Sequence, residues 1–244
     1  MRRLTDSHPE GNVSLHPDGI HAFVNQPDGG FELNLETGER GASPYPGAAY
    51  TSSGRLHLLR ADGTGGVTPE PVATPSEADD VAWATDPIPS YPLSYDLHGE
   101  TDRSVFQWQD GTLRVSDGPE EIATIDESVQ GFGLSRDASQ LFVAASDGIV
   151  RIYDADDPRS PTETDIAAEA LSMSPDRRTL IVTGDDGTIS LIDADTLEVQ
   201  GDPIPGIGPF APAAMTPDEE TLLAFDHDTI GIRLYDVETR SRLG

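Results

Sequence analysis

Residues 132–158 read FGLSRDASQLFVAASDGIVRIYDADDP, and residues 171–197 read LSMSPDRRTLIVTGDDGTISLIDADTL. The two stretches begin about forty residues apart and share one design. A short apolar strand leads into a Ser-x-Asp turn. A second apolar strand leads into an Asp-Gly turn, and a third ends at Tyr153-Asp154 or Ile192-Asp193. This is a β-meander repeated in sequence. A period near 40 with three or four short strands predicts a propeller blade.

The Asp-Gly pairs extend the period to the whole chain. They fall at Asp28-Gly29, Asp62-Gly63, Asp110-Gly111, Asp147-Gly148 and Asp186-Gly187, and Asp228-Thr229 holds the sixth place. Asp-Gly between two strands favours a tight hairpin, because Gly accepts a positive φ and Asp tolerates it. Six repeats account for the 244 residues. The expected fold is all-β, a single propeller domain over residues 1–244 with six four-stranded blades. The blades are expected near 8–40, 41–85, 86–125, 126–166, 167–204 and 205–244, with 1–7 available to complete the last. A seven-bladed ring is the alternative, its extra partial blade hidden in the irregular 64–103 region. Pro69 and Pro71 place the third strand of the second repeat at an edge or break it. Residues 74–92 are the least regular part, with Val81–Ala84 as a candidate outer strand. The segment 163–171 fits either an outer strand or one helical turn.

Aligned on the Asp-Gly pairs, the middle strands carry apolar residues at adjacent positions, with His57 the one polar member. Four residues before the Asp stand Val24, Leu58, Phe106, Val143, Val182 and Ala224, and five before stand Phe23, His57, Val105, Phe142, Ile181 and Leu223. Adjacent apolar positions bury both faces of a strand. That pattern suits a strand held between neighbouring blades. At the ends, two segments compete to pair beside Ile232–Tyr235: Arg2–Thr5, which closes a ring and removes its edge, and Ser241–Leu243.

The formal charge is −29, from 44 acidic and 15 basic residues, and all the basic ones are Arg. Such a surface repels phosphate backbones and anionic membranes, so neither nucleic acid nor a membrane is an expected partner. It favours solubility, and a basic protein is the complementary partner. The chain has no Cys, which rules out disulfides, thiolate metal sites and a Cys nucleophile. The N-terminal MRRLTDSHPEGN lacks the apolar core of a signal peptide, and no apolar run reaches the ~18 residues of a membrane span. A cytoplasmic, monomeric domain is expected.

These residues resemble the WD-type β-propeller repeats. The resemblance is carried by Ser174-Pro175-Asp176, Thr216-Pro217-Asp218, His16-Pro17-Asp18-Gly19 and Asp186-Gly187-Thr188-Ile189, with the strand ends Tyr153-Asp154, Ile192-Asp193 and Tyr235-Asp236. It covers nearly the whole chain, most strongly residues 130–240, and the phrasing looks like bacterial members from GC-rich genomes. No Trp precedes a strand-end Asp and no Gly-His pair opens a repeat, so the family's Asp-His-Ser/Thr-Trp network is missing. The resemblance implies a WD40-like propeller with degenerate repeats, acting as a non-catalytic scaffold for protein–protein interaction, with no cofactor.

No G-x-S-x-G, P-loop or dinucleotide fingerprint occurs. The six His (8, 16, 21, 57, 98 and 227) share no metal-ligand spacing and read as surface or turn residues. Asp154-Ala155-Asp156-Asp157 lacks the Gly and Glu of a calcium loop. The alternative function is a metal-dependent propeller hydrolase or lactonase with carboxylates at a central channel. One column varies in size and charge. Two residues before each Asp-Gly position stand Gln26, Arg60, Trp108, Ala145, Gly184 and Asp226. A partner-reading rim needs different side chains at equivalent positions, which makes Gln26, Arg60, Trp108 and Asp226 the candidate partner-binding residues. Trp108 is the natural anchor. The competing account is a first exposed position that drifts freely, with Trp108 filling space beside the Pro-rich insertion. Trp83, Tyr91 and Tyr95 form a second candidate aromatic patch or pack that insertion.

Overall fold

A computed structural model describes residues 13–16, 18, 20–24, 31–34, 37–42, 48–50, 56–61, 67–72, 94–108, 110–118, 120–205, 208, 212–226 and 231–243. These residues form six antiparallel sheets and no helix. The first contains β1 (Val13–Leu15), β2 (His21–Val24), β3 (Phe31–Asn34) and β4 (Arg40–Ala42). The second contains β5 (Ala48–Tyr50), β6 (Leu56–Ala61) and β7 (Val67–Val72). The third contains β8 (Ser94–Leu97), β9 (Arg103–Gln107), β10 (Thr112–Asp117) and β11 (Glu120–Asp126). The fourth contains β12 (Val129–Leu134), β13 (Gln140–Ala145), β14 (Ile149–Asp154) and β15 (Thr162–Ala167). The fifth contains β16 (Ala170–Met173), β17 (Thr179–Thr183) and β18 (Ile189–Asp193), and the sixth β19 (Ala213–Met215), β20 (Thr221–Asp226) and β21 (Gly231–Asp236). In every sheet the strands follow chain order, so each is a meander. No helix among the described residues is long and apolar enough to cross a membrane.

The chain divides into two compact units, residues 1–110 with 114–122, and residues 111–113 with 123–244. In the first, β5 lies against β1 and β2. There β7 is an edge strand despite Pro69 and Pro71, which sit opposite Leu59 and His57. An edge tolerates Pro because the lost N–H faces no partner.

In the second unit β12 lies beside β16, and β16 beside β19. The sheets therefore stack through their first strands. Phe142, Ala144 and Val150 of the fourth sheet pack with Leu171, Leu180 and Val182 of the fifth. Ile181, Ile189 and Leu191 of the fifth pack with Ala213, Met215, Leu222 and Ala224 of the sixth. Successive residues of β17 thus face opposite neighbours, and Leu141–Ala145 of β13 is buried throughout. This is why the middle strands read as continuous apolar runs instead of alternating ones.

The opposite face of the sixth sheet carries Leu223 opposite Leu234 and Phe225 opposite Ile232. Ile232 is 54% exposed and Leu234 39%. At the outer edge of β21, Arg242 bridges Tyr235, Asp236 N–H donates to the Ser241 carbonyl, and Leu243 N–H donates to the Leu234 carbonyl. Ser241–Leu243 therefore takes part of that edge, and Arg2–Thr5 lies outside the described residues. Residues 162–167 form the outer strand β15, not a helical turn.

Candidate functional site

The antiparallel order places two kinds of turn on opposite rims of the second unit. The Ser-x-Asp turns precede the middle strands, and the Asp-Gly turns follow them.

Three Ser-x-Asp turns are built alike. In the first, Ser135 Oγ donates to Asp137 Oδ1 at 2.8 Å, Ser139 N–H donates to the same oxygen at 3.0 Å, and Gln140 N–H donates to Ser135 Oγ at 3.0 Å. The second repeats this with Ser174, Asp176, Arg178 and Thr179, at 2.7, 2.9 and 3.0 Å. The third uses Thr216, Asp218, Glu220 and Thr221, at 2.5, 3.1 and 3.0 Å. Each carboxylate gathers the donors of its own loop, as short polar side chains do in turns. In each, the fourth residue is left-handed although it is not Gly: Ala138, Arg177 and Glu219 have φ of 60°, 61° and 60°. Such a conformation costs about 1 kcal/mol or more, and the surrounding hydrogen bonds hold it.

The left-handed residue projects sideways. Arg177, 7% exposed, donates from Nη1 to the Leu134 carbonyl at 3.0 Å, linking the fifth sheet to the fourth. Glu219 occupies the same turn position in the sixth sheet and accepts the Asp176 N–H at 2.9 Å. The first repeat aligns Gly19 with these residues. That Gly is the one sequence signal for a left-handed fourth position.

These aspartates make the fold acid-sensitive. The Ser139 N–H, with the Ser139 and Ser135 hydroxyls, holds the Asp137 carboxyl down to about 2. A depressed carboxylate contributes stability that is fully present above its unfolded value near 4 and is lost as pH falls through the folded one. Asp186, Asp193, Asp218 and Asp236 are shifted down by Thr188, Thr196, Thr216 and Thr239 in the same way. Stability should therefore fall steeply between about pH 4 and pH 2. Urea midpoints of the wild type and Asp137→Asn across that range test this, and the variant should lose less. Parallel curves would remove Asp137 from the account.

On the other rim, Gly148 and Gly187 have φ of 83° and 79°, as the Asp-Gly pairs required. Gly187 is also confined, because an added Cβ would lie 2.6–2.7 Å from the backbone of Gly208. Gly187→Val should destabilise by more than the ~1–3 kcal/mol of turn strain alone, since backbone cannot swing aside. A thermal midpoint equal to the wild type would contradict this placement.

Arg151 clamps the fourth sheet at this rim. It meets Glu127 at 2.6 Å, Asp147 at 2.6 Å and Glu163 at 3.1 Å, while Tyr153 donates to the other Glu127 oxygen. The hydrogen bond to Arg151 pulls the Asp147 carboxyl down. Burial, then the bond to Glu127, pushes the Tyr153 phenol up. One guanidinium thus fastens a connecting loop, a turn and an outer strand. Asp185 and Asp186 stand exposed at the equivalent turn of the fifth sheet.

Two members of the variable column, Trp108 and Ala145, are buried. Gln26 lies outside the described residues. Arg60 sits opposite Thr68 in the second sheet, and Asp226 ends β20 opposite Gly231. Trp108 is 3% exposed and clusters with Leu97, Phe106 and Tyr95, with the Arg114 guanidinium 4.7 Å from its ring centroid. It is a packing residue, which corrects the expectation of an exposed anchor. The large ring follows β9 back into apolar contacts instead of leaving them. Ala145 is 2% exposed, so the position two before the Asp-Gly pair is not a solvent position in that repeat either. Tyr95 packs beside Trp108, whereas Trp83 and Tyr91 lie outside the described residues.

Of the histidines, His98 is buried and accepts the Thr101 N–H at 3.2 Å through Nδ1, while His16 and His21 bracket Asp18. The Asp154 carboxylate accepts the Asp156 N–H at 2.9 Å, as a loop-closing residue does. Among the described residues no group of three or more His, Asp or Glu is arranged to hold a metal ion. No protein-family model and no curated protein matches the chain.

Proposed function

We propose that the chain is a six-bladed propeller of the WD-like type, working as a non-catalytic platform for a basic protein partner. The observation that carries this is the repeated stacking. The fifth sheet covers one face of the fourth, and the sixth covers the same face of the fifth. Leu223, Phe225, Ile232 and Leu234 then present the corresponding face of the sixth. A further sheet of the same design is the natural cover, and in a closed ring the first sheet provides it. The hydrogen-bonded turns give the disc rigid rims, and −29 formal charge draws a cationic surface.

Ring closure has a direct test. Phe142 shares a cluster with Val182, and Ile181 with Ala224. The equivalent pair at the seam is Leu223 with Val24. The chain has no Cys, so Leu223→Cys with Val24→Cys reports on an empty background. Intramolecular crosslinking by a short bismaleimide is expected, and only intermolecular or no crosslinking would sink the ring.

The platform is tested at the Asp-Gly rim. A partner captured by the chain and rebuilt from two purified proteins should lose affinity with Asp185→Arg and with rising salt. A complex indifferent to both would reject an acidic docking rim. A tightly held divalent ion in the purified chain would move the assignment to the hydrolase.

A further inference from the structure

We propose that Met173 is an oxidant-sensitive pin between the fourth and fifth sheets, released when peroxide converts its thioether to a sulfoxide. Met173 ends β16 opposite Leu180 and packs against the cluster of Phe142, Ala144, Leu171, Leu180 and Val182. It also lies against β12. A Cβ built on Gly133 would stand 2.3 Å from the Met173 Cγ and 3.4 Å from both its Cβ and its Sδ. The thioether therefore rests on a stretch of the fourth sheet that Gly133 leaves bare. One residue along, the Leu134 carbonyl accepts from Arg177 Nη1 across the same junction.

Leu134, Met173 and Met215 hold the same place, immediately before the Ser or Thr that opens each turn, opposite Leu141, Leu180 and Leu222. Leu134 is fully buried and Met215 is 8% exposed, whereas Met173 is half-buried. The susceptibility of a thioether follows its exposure, so peroxide reaches Met173 ahead of Met215. Met1 lies outside the described residues. The chain has no Cys to compete for the oxidant.

The step balances with hydrogen peroxide alone. Sδ takes one peroxide oxygen as the O–O bond breaks, the sulfur is oxidised to the sulfoxide, and the peroxide is reduced to water. The new oxygen is a strong hydrogen-bond acceptor. Phe142, Ala144, Leu171 and Val182 offer it apolar side chains, and an acceptor without a donor costs free energy. An unbranched side chain at a half-buried position relieves that cost by turning its polar end to water. The turn takes Cγ and Sδ off Gly133 and uncovers the apolar junction beneath.

The test treats the whole chain with hydrogen peroxide, beside Met173→Leu, which carries the residue of the equivalent fourth-sheet position. Peptide masses should show the gain of one oxygen at Met173 about tenfold faster than at Met215. The wild-type folding constant, from urea unfolding, should then fall about 5- to 30-fold. Met173→Leu should hold its value through the same treatment. Gly133→Ala gives a readout that general oxidative damage would not move. Its methyl group takes the place that the thioether leaves, so oxidation should lower its folding constant less than that of the wild type. Equal oxidation rates at Met173 and Met215 would overturn the pin. So would an oxidised wild type as stable as the untreated chain, a matching loss in Met173→Leu, or a Gly133→Ala protein that loses as much as the wild type.

Discussion

Gly131→Ala is expected to cost about 3 kcal/mol or more, the upper end for overpacking, although it adds a single methyl group. Gly131 lies in β12 where the register slips by a bulge, opposite Ala144. A Cβ built there would stand 2.2 Å from the Leu171 carbonyl oxygen and 2.7 Å from its nitrogen. Those atoms belong to β16, the first strand of the next sheet. Relief requires the fourth and fifth sheets to move apart, which strips contacts from the cluster of Phe142, Ala144, Leu171, Leu180 and Val182. Gly133, two residues on, is the control. Its added Cβ would meet the Met173 Cγ at 2.3 Å, but a thioether chain can turn away. Gly133→Ala should cost only about 1 kcal/mol. Equal urea midpoints for the two variants would show that the first strands are not in backbone contact.

Trp108→Ala should destabilise by about 3–5 kcal/mol, as large-to-small changes at buried aromatic positions do. The ring fills space among Leu97, Phe106 and Tyr95 and lies under the Arg114 guanidinium. Its indole N–H has no hydrogen-bond partner among the described residues. Trp108→Phe, which keeps most of the apolar bulk and removes that group, should therefore cost about 1–2 kcal/mol. The two thermal midpoints separate packing from recognition. A Trp108→Ala protein as stable as the wild type would return the residue to the surface.

Much of the architecture is legible in the sequence because it is local. A hairpin needs its Gly at the positive-φ position, so Asp147-Gly148 and Asp186-Gly187 announce where strands reverse. A strand covered on both sides needs apolar residues at consecutive positions, so Leu180–Val182 announces that sheets stack. A third turn class is just as local, yet its signal is faint. Asn34, Asp193 and Asp236 each cap the N–H of a Thr three residues on, at 2.9, 2.8 and 2.7 Å. The left-handed residue that follows is Gly38, Leu197 or Arg240. The Gly of the first repeat marks a conformation that the later repeats impose on bulkier residues, where no Gly gives it away.

The sequence by itself determined the strand order, the turns and the two-faced burial of the middle strands, because each depends on residues within one hairpin. Tertiary structure alone decided what depends on a neighbouring sheet about forty residues away. It set the Leu171 backbone against Gly131, where an added methyl would collide, and brought the Glu219 carboxyl to the Asp176 N–H. No local preference encodes these. Whether a side chain is covered, crowded or paired is set by the surface that arrives opposite it, and that surface comes from the next repeat.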